Sequence, residues 1–249
     1  ALGLDVIAGT DHLRDLAQVP PRLRVAVSFK APATGVVISA AWREAAIEAG
    51  RLLNHAGHDV HREDPPYDAA SVQALLARWT QGALRDVELM GLDRDQLQAR
   101  TRSHLTRGEQ FARVRPVDEQ DAADWRMRVA PFFEQHDVLV TPAFARTQPA
   151  ASEWHAKTWV ANIASNLSAY PFLGPWNLAD HPAVVVPLWQ DGGRPLSVQI
   201  VGRQGDEALV LAVAAQLEAL VPWARHAPGW HVPGTDEALA TDADQRQSS

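Results

Sequence analysis

Short apolar stretches typical of buried β-strands alternate with amphipathic helical stretches along most of this 249-residue chain. The pattern is clearest near the C-terminal end, where residues 183–188 and 196–201 flank a turn that contains Gly192 and Gly193. Two strand-like stretches around a Gly-Gly turn predict a β-hairpin, whose strands are antiparallel. Elsewhere the alternation of strands and helices favours parallel pairing through helical crossovers. We therefore predict an α/β fold built around a mixed sheet.

The first third of the chain predicts one strand–helix–strand unit. Residues 23–27 and 59–62 have the composition of short strands. Between them we expect a helix from Ser39 to His55, capped by Ser39 and ended by Gly57. Its apolar face is expected to contain Trp42, Ala45, Ala46, Ala49, Leu52 and Leu53.

The middle of the chain is predicted to be mainly helical. Residues 71–113 have helical apolar spacing, with breaks expected at Gly91 and Gly108. Asp118 is expected to cap a further helix, which Pro131 should bend or interrupt. The buried side of that helix is predicted to contain Trp125, Val129, Phe132 and Phe133.

Further elements follow towards the C-terminus. Residues 137–141 predict a buried strand that Pro142 stops, and residues 155–169 predict a weaker helix. After the hairpin, Asp206 should cap a helix that runs to about Val221. Three of the nine tryptophans, Trp42, Trp79 and Trp125, fall on apolar helix faces and are interpreted as core residues.

Composition narrows the functional classes. The net charge of −7 makes nucleic acid an unexpected partner, because phosphate binding needs a basic surface. No apolar run is long enough to span a bilayer, so no membrane partner is expected. The absence of cysteine excludes disulfides and a cysteine nucleophile, and a cytoplasmic location is the simplest interpretation. Residues 231–249 are acidic and predict a disordered tail.

The sequence contains no common motif for a catalytic serine or for phosphate binding. Neither Gly-x-Ser-x-Gly nor Ser-x-x-Lys occurs, and a glycine-rich phosphate loop is also absent. His55, His58 and His61 are the tightest histidine group. Gly57 breaks the helix between the first two, and the odd spacing of the other two on a strand points them to opposite faces. We therefore expect no metal site, and no cofactor.

Several stretches, taken in order, resemble the amidase signature family over nearly the whole chain. They are Leu4–Gly9, Arg24–Ser28 with the helix end His55–Val60, Asp137–Pro142, Tyr170–Pro187 and Leu196–Glu218. One departure is Asp180, which stands where the family usually has a glycine. If that glycine serves a positive φ angle, Asp180 must adopt a conformation that it tolerates less well than glycine.

The resemblance implies a fold and an activity. The family hydrolyses carboxylic amides with a Ser–cis-Ser–Lys triad that belongs to its N-terminal half, and no position of this chain matches the triad. No catalytic residue can therefore be assigned. Residues 1–230 are expected to form the C-terminal part of an α/β/α sandwich around a mixed sheet, supplying sheet strands and one wall of the substrate pocket.

Six residues are candidates for that wall. The segment from Tyr170 to Asn177 is interpreted as a loop that leads into a strand, a position that commonly carries binding residues. Tyr170, Phe172 and Trp176 could line an apolar pocket. Asn177 could contact substrate or, equally well, form a hydrogen bond that stabilises the turn. Thr141 and Trp79 are weaker candidates.

Three functions remain open. The first is an enzyme part whose partners are the missing N-terminal catalytic half, a small amide substrate and, as a further assembly, a second copy of the chain. The second is a non-catalytic binding or scaffold protein that keeps half of the fold. The third is a self-sufficient hydrolase with an unrecognised site. The coding sequence upstream of Ala1 separates the first from the others.

Overall fold

The computed structural model describes residues 2–9 and 21–223. The predicted tail, residues 231–249, lies outside the described residues. In chain order the elements are α1 (Leu2–Ala8), β1 (Arg24–Val27), α2 (Ala40–His55), β2 (Asp59–Arg62), α3 (Ala69–Leu89), α4 (Ala99–Ala112), α5 (Glu119–Gln135), β3 (Val138–Pro142), α6 (Trp159–Ala169), α7 (Gly174–Ala179), β4 (Ala183–Asp191), β5 (Arg194–Val201) and α8 (Glu207–Leu220). Two short 3₁₀ turns lie at Arg94–Gln96 and Trp154–Ala156.

The five strands form one mixed sheet in the order β2-β1-β3-β5-β4. Strand β1 lies in the interior and is parallel to both β2 and β3. Strand β5 is antiparallel to both β3 and β4. The predicted mixed sheet is therefore confirmed. The hairpin is confirmed with it, since Gly192 and Gly193 have φ angles of 55° and 79° at the two turn positions.

Helices cover both faces of the sheet, which gives three layers. On one face the strand residue Val25 belongs to the same buried cluster as Trp42 and Leu53 of α2, and α8 completes this layer. On the other face its neighbour Ala26 joins the cluster of Trp125, from α5, together with residues of α3 and α7. Adjacent strand residues point to opposite faces, so one short strand contributes to both cores.

Pro131 does not interrupt its helix, whereas Pro142 ends its strand as predicted. Helix α5, capped by the Asp118 side chain, continues through Pro131 to Gln135. Pro142 belongs to β3 and lies opposite Val198. Because Ala143 donates to the Ser197 carbonyl of β5, the nitrogen of Pro142 faces the β1 side, where β1 has already ended. A proline at that position loses no ladder hydrogen bond.

Gly108 was predicted to break the helical region, but it lies within α4. A Cβ atom there would be 2.4 Å from the carbonyl oxygen of Thr80 in α3. The glycine therefore allows two helices to approach closely. Gly91 does follow the end of α3 with a positive φ of 60°.

Trp79 of α3 is 46% exposed, so its interpretation as a core residue was wrong. Trp42 and Trp125 are buried at 2% and 1% exposure, as predicted. Helix α3 packs against α4, α5 and α7, and Trp79 lies on a side that these helices leave partly open.

Asp180 adopts the left-handed conformation expected of it. Its φ and ψ are 54° and 37°, and it ends α7. The N–H of His181 then donates to the Trp176 carbonyl at 3.0 Å, and the Asp180 carboxylate pairs with Arg126. These contacts offset the strain of a positive φ in a residue other than glycine.

Candidate functional site

A cleft of ≈ 420 Å³ lies between the segment that follows β3 and helices α4 and α6. Such a position, beyond the carboxyl end of a strand, is where open α/β sheets commonly bind ligands. Its polar and aromatic lining includes the predicted site residue Tyr170. The cleft is lined by Arg100, Pro149, Ala150, Ala151, Ser152, Trp154, Asn162, Ser165, Asn166 and Tyr170.

Tyr170 is held in the cleft wall by a row of aromatic rings. Its ring meets Phe144 edge-on at 5.0 Å, and Phe144 meets Trp42 edge-on at 5.1 Å. Trp42 is 2% exposed, so this row anchors Tyr170 to the core. The N–H of Tyr170 donates to the Asn166 carbonyl at 2.8 Å at the end of α6. The site residue is therefore fixed from two directions, which favours a preformed pocket.

Two asparagines on α6 contribute amide groups to the cleft. The Nδ2 atom of Asn162 donates to the carbonyls of Trp154 and Thr158, both at 3.1 Å. The Nδ2 atom of Asn166 donates to the Asn162 carbonyl at 2.8 Å. These bonds fix each amide through its nitrogen and leave its Oδ1 atom without a donor among residues 2–9 and 21–223. Neither asparagine was predicted as a site residue, because the sequence indicates only a weak helix at residues 155–169.

The cleft is locally cationic although the chain carries a net charge of −7. Arg100 lines it and forms no ion pair with the described part of the chain. The Lys157 ammonium lies 3.5 Å from the ring centroid of Trp154, which also lines the cleft. The segment 146–170 contains Arg146 and Lys157 against a single carboxylate, Glu153. A cationic cleft favours an anionic group on its ligand.

A buried hydrogen bond lies behind this wall. The Nε2 atom of Gln199 on β5 donates to the Phe172 carbonyl at 3.2 Å and meets Thr141 Oγ1 at 3.4 Å. Gln199 is 2% exposed, and both Thr141 and Phe172 are 0% exposed. The contact joins β3, β5 and the segment after α6. Sequence reasoning missed Gln199, although a lone amide in the apolar stretch 196–201 is the signal that could have found it.

The second half of the predicted loop from Tyr170 to Asn177 is helical, and the first half is a turn. Tyr170 ends α6, and α7 begins at Gly174 with Pro175 in its first turn, a place that proline favours. Trp176 is 0% exposed in the core cluster of α5 and α7. Asn177 is exposed and its side chain forms no hydrogen bond within the described residues, so the turn bond, one of its two predicted roles, is not observed. Asp180 makes the turn instead.

Trp79 lies beside the other two helices of the cleft. Its ring is 5.2 Å from that of His104 on α4, and Trp159 of α6 donates to His104 Nδ1 at 3.0 Å. Tyr170 lines the cleft, whereas Trp79 does not line it and reaches α4, one of its walls, through His104. Thr141 and Phe172 meet Gln199 in the interior, and Trp176 packs against Phe133 and His181 in the core. Asn177 is separate on the surface.

A second cleft, of ≈ 480 Å³, lies at the opposite end of the sheet. Its three arginines all have a carboxylate partner: Asp137 pairs with Arg24 and Arg203 at 2.8 and 2.9 Å, and Asp180 pairs with Arg126. Burial raises the pKa of Asp137, but hydrogen bonds from Arg24 and the charge of both arginines outweigh this and lower it. Burial lowers the pKa of His181, whose Nδ1–H donates to the Gly202 carbonyl at 2.7 Å. These groups therefore already have structural partners within the chain.

Residues 2–9 and 21–223 contain no cluster of side chains suited to holding a metal ion. His58 uses both ring nitrogens: Nδ1 accepts from the Leu23 N–H at 3.1 Å, so Nε2 carries the proton and donates to Gln216 at 2.7 Å. Of the helices described, none is long and apolar enough to cross a bilayer.

Comparison with known proteins shows to which family the chain belongs. The family model described as amidase matches residues 8–211. A candidate amidase of Mycobacterium tuberculosis, AmiB2, is 36% identical over 215 residues, which cover 85% of this chain and 46% of that protein. A second one, AmiA2 of the same organism, is 31% identical over 219 residues, covering 84% and 44%. The chain thus spans about half the length of the curated relatives it matches.

Solved structures with the same fold support this family assignment. A 6-aminohexanoate cyclic dimer hydrolase, determined in complex with its substrate, matches with a TM-score of 0.74 and 26% identity, covering 86% of this chain and 48% of that one. A bacterial aryl acylamidase of the amidase signature family has the same fold, with a TM-score of 0.64 at 17% identity and coverage of 86% and 47%. The mixed sheet between two helical layers therefore has the family's architecture, and this chain belongs to the amidase signature family.

Proposed function

We propose that this chain is the C-terminal part of a serine amidase that hydrolyses a carboxylic amide to an acid and an amine or ammonia. The chain itself is catalytically incomplete in this proposal. It supplies the sheet core and one wall of the substrate pocket, while the nucleophile and its bases belong to an N-terminal half. Membership of the family supports amide hydrolysis, and the coverage of about half of each relative supports the division.

The observation that carries the proposal is the cleft beyond β3, with Tyr170 fixed in its wall. An amide substrate needs an apolar surface with a few oriented polar groups, and the cleft supplies both. Tyr170 is proposed to contact substrate directly. Trp79 is proposed to border the same space from α3, since it is 46% exposed beside α4.

The other four candidates are proposed to act at greater distance. Thr141, Phe172 and Trp176 are 0% exposed, so their proposed part is to hold the wall from behind. Asn177 is exposed at α7, and a substrate contact there depends on what the N-terminal half brings to that surface. A cytoplasmic location is also proposed, on the absence of cysteine.

The proposal is tested by asking which polypeptide holds the nucleophile. The region upstream of Ala1 in the coding sequence is read first, then co-expressed as a separate chain carrying a distinct tag. The complex is treated with a fluorescent serine-directed phosphonate and resolved on a denaturing gel. Label on the N-terminal partner alone supports the proposal. Label on the 249-residue chain, or an upstream region without a Gly/Ser-rich segment and a preceding lysine, overturns it.

A further inference from the structure

We propose that Arg100 makes this half of the site selective for amides that carry a carboxylate at the end remote from the scissile bond. The inference rests on the proposed amidase function and adds the class of substrate. Arg100, the second residue of α4, lines the cleft of ≈ 420 Å³ together with Tyr170.

Arg100 lines the cleft and forms neither an ion pair nor a hydrogen bond within the described residues, unlike three other arginines nearby. Arg94 pairs with Glu109 at 2.7 Å, Arg115 pairs with Asp121 at 2.6 Å, and Arg146 binds the Ser168 hydroxyl. Arg100 has no such partner in residues 2–9 and 21–223. A guanidinium is always charged and presents a planar set of donors that matches a carboxylate.

The rest of the lining fits a ligand with an amide and a carboxylate. The Tyr170 hydroxyl makes no hydrogen bond within the described residues and can donate to a ligand oxygen. The Oδ1 atoms of Asn162 and Asn166 can accept from an amide N–H, because their nitrogens already donate to carbonyls. Trp154 and the prolyl and alanyl side chains provide apolar surface for a short methylene chain.

The charge around the cleft supports the same class. Besides Arg100, the Lys157 ammonium lies over the Trp154 ring at 3.5 Å, and Glu153 is the single carboxylate in the segment 146–170. An anionic substrate would therefore approach a locally positive surface on an otherwise acidic protein.

The test compares two amides of the same shape, adipamate and adipamide, which differ only in a terminal carboxylate against a carboxamide. The complex of this chain with its N-terminal half is used, and both kcat/KM and the dissociation constant are measured for each compound. Because Arg100 is exposed, we expect a preference for adipamate of about fivefold in the wild type. Arg100→Gln should abolish this preference, mainly through a loss of affinity for adipamate. Arg100→Lys should restore part of it.

The matched control is Arg107→Gln. Arg107 lies on the same helix, seven residues further on and therefore about 10 Å away on a similar face, and its guanidinium binds Gln110 outside the cleft. It removes the same charge and should keep the wild-type ratio. Equal ratios in wild type and Arg100→Gln, or loss of the ratio in Arg107→Gln as well, would overturn the inference. If the complex hydrolyses neither compound, the proposed function fails, and the ratio of dissociation constants still decides the role of Arg100.

Discussion

The side chain of Gln199 donates to the main-chain carbonyl of Phe172 at 3.2 Å, in a place where Gln199 is only 2% exposed. This bond connects the interior of the sheet with the segment that presents Tyr170 to the cleft. A buried polar group costs free energy when it lacks a partner, so the contact fixes where that segment must lie.

Replacing the amide tests this bond. Gln199→Met keeps the length of the side chain but leaves the Phe172 carbonyl without its donor, and we expect a loss of about 2 kcal/mol in the free energy of unfolding. Urea titration of the purified chain at low concentration measures it. The control, Gln190→Met, makes the same change at an exposed position of the hairpin and should shift stability by less than about 0.5 kcal/mol. Equal effects of the two variants would show that the bond contributes nothing.

Two glycines in the packed helices α3 and α4 should respond with opposite sign. Gly108→Ala places a Cβ atom 2.4 Å from the Thr80 carbonyl oxygen, so α3 and α4 must separate, and we expect a loss of about 2 kcal/mol or more. Gly82→Ala meets no atom within 4 Å inside a helix and should stabilise by about 0.5–1 kcal/mol. Thermal unfolding of both variants decides the matter, and stabilisation by Gly108→Ala would contradict the close approach of the two helices.

Acid should weaken the fold through Asp137. The pKa of this carboxyl is lowered from a reference value of 3.8 by Arg24 and Arg203, against the raising effect of burial. A group with a lowered folded-state pKa contributes stability that is complete above its unfolded value and is lost as the pH falls through its folded value. The contribution should therefore be present at pH 7 and disappear below about pH 4.

The matching variant is Asp137→Asn, which should cost about 2 kcal/mol at pH 7 and much less at pH 2.5. Asp86→Asn, at an exposed position of α3 whose side chain has no bond in residues 2–9 and 21–223, serves as the control. Unfolding by urea at the two pH values measures the difference. A cost of the same size at both would show that the ion pairs with Arg24 and Arg203 are not its source.

Strand β4 should govern self-association of the isolated chain. Its nine residues form one edge of the sheet, with Val185 45% exposed, whereas β2 at the other edge has four residues and exposed His61 and Arg62. Long apolar edges pair with other chains, and short charged ones resist pairing. We expect sedimentation velocity to show concentration-dependent oligomers that Val185→Lys reduces. Val37→Lys, at an 82% exposed loop position, should leave them unchanged. A monodisperse monomer at all concentrations would contradict an exposed pairing edge.

Local chemistry predicted much of this fold. Gly192 and Gly193 predicted the hairpin because a tight turn needs two positive φ angles, and Asp180 was expected to be left-handed from its place in the family pattern. Asp118 was predicted to cap α5 because aspartate is favoured at that position, and its carboxylate does accept from an N–H at the start of the helix. These features depend on residues close together in the chain.

The misplaced features depend on contacts between distant segments. Gly108 resembles a helix break until Thr80 of another helix is placed against it. The segment from Tyr170 to Asn177 was predicted to be a loop, whereas α7 begins within it at Gly174 and packs against α3 and α5. Gln199 forms its hydrogen bond with Phe172, and Arg100 shares the cleft with residues of the segment 149–170. In both cases the partner lies far away in sequence.

Amide turnover should require both halves, so we compare the chain alone with the chain combined with its N-terminal half. Ammonia release from adipamide and from a simple aryl amide is followed under identical conditions. We expect no turnover by the 249-residue chain, and turnover by the complex that a serine-directed phosphonate abolishes. Robust turnover by the chain alone, or none by a well-formed complex, would contradict this expectation.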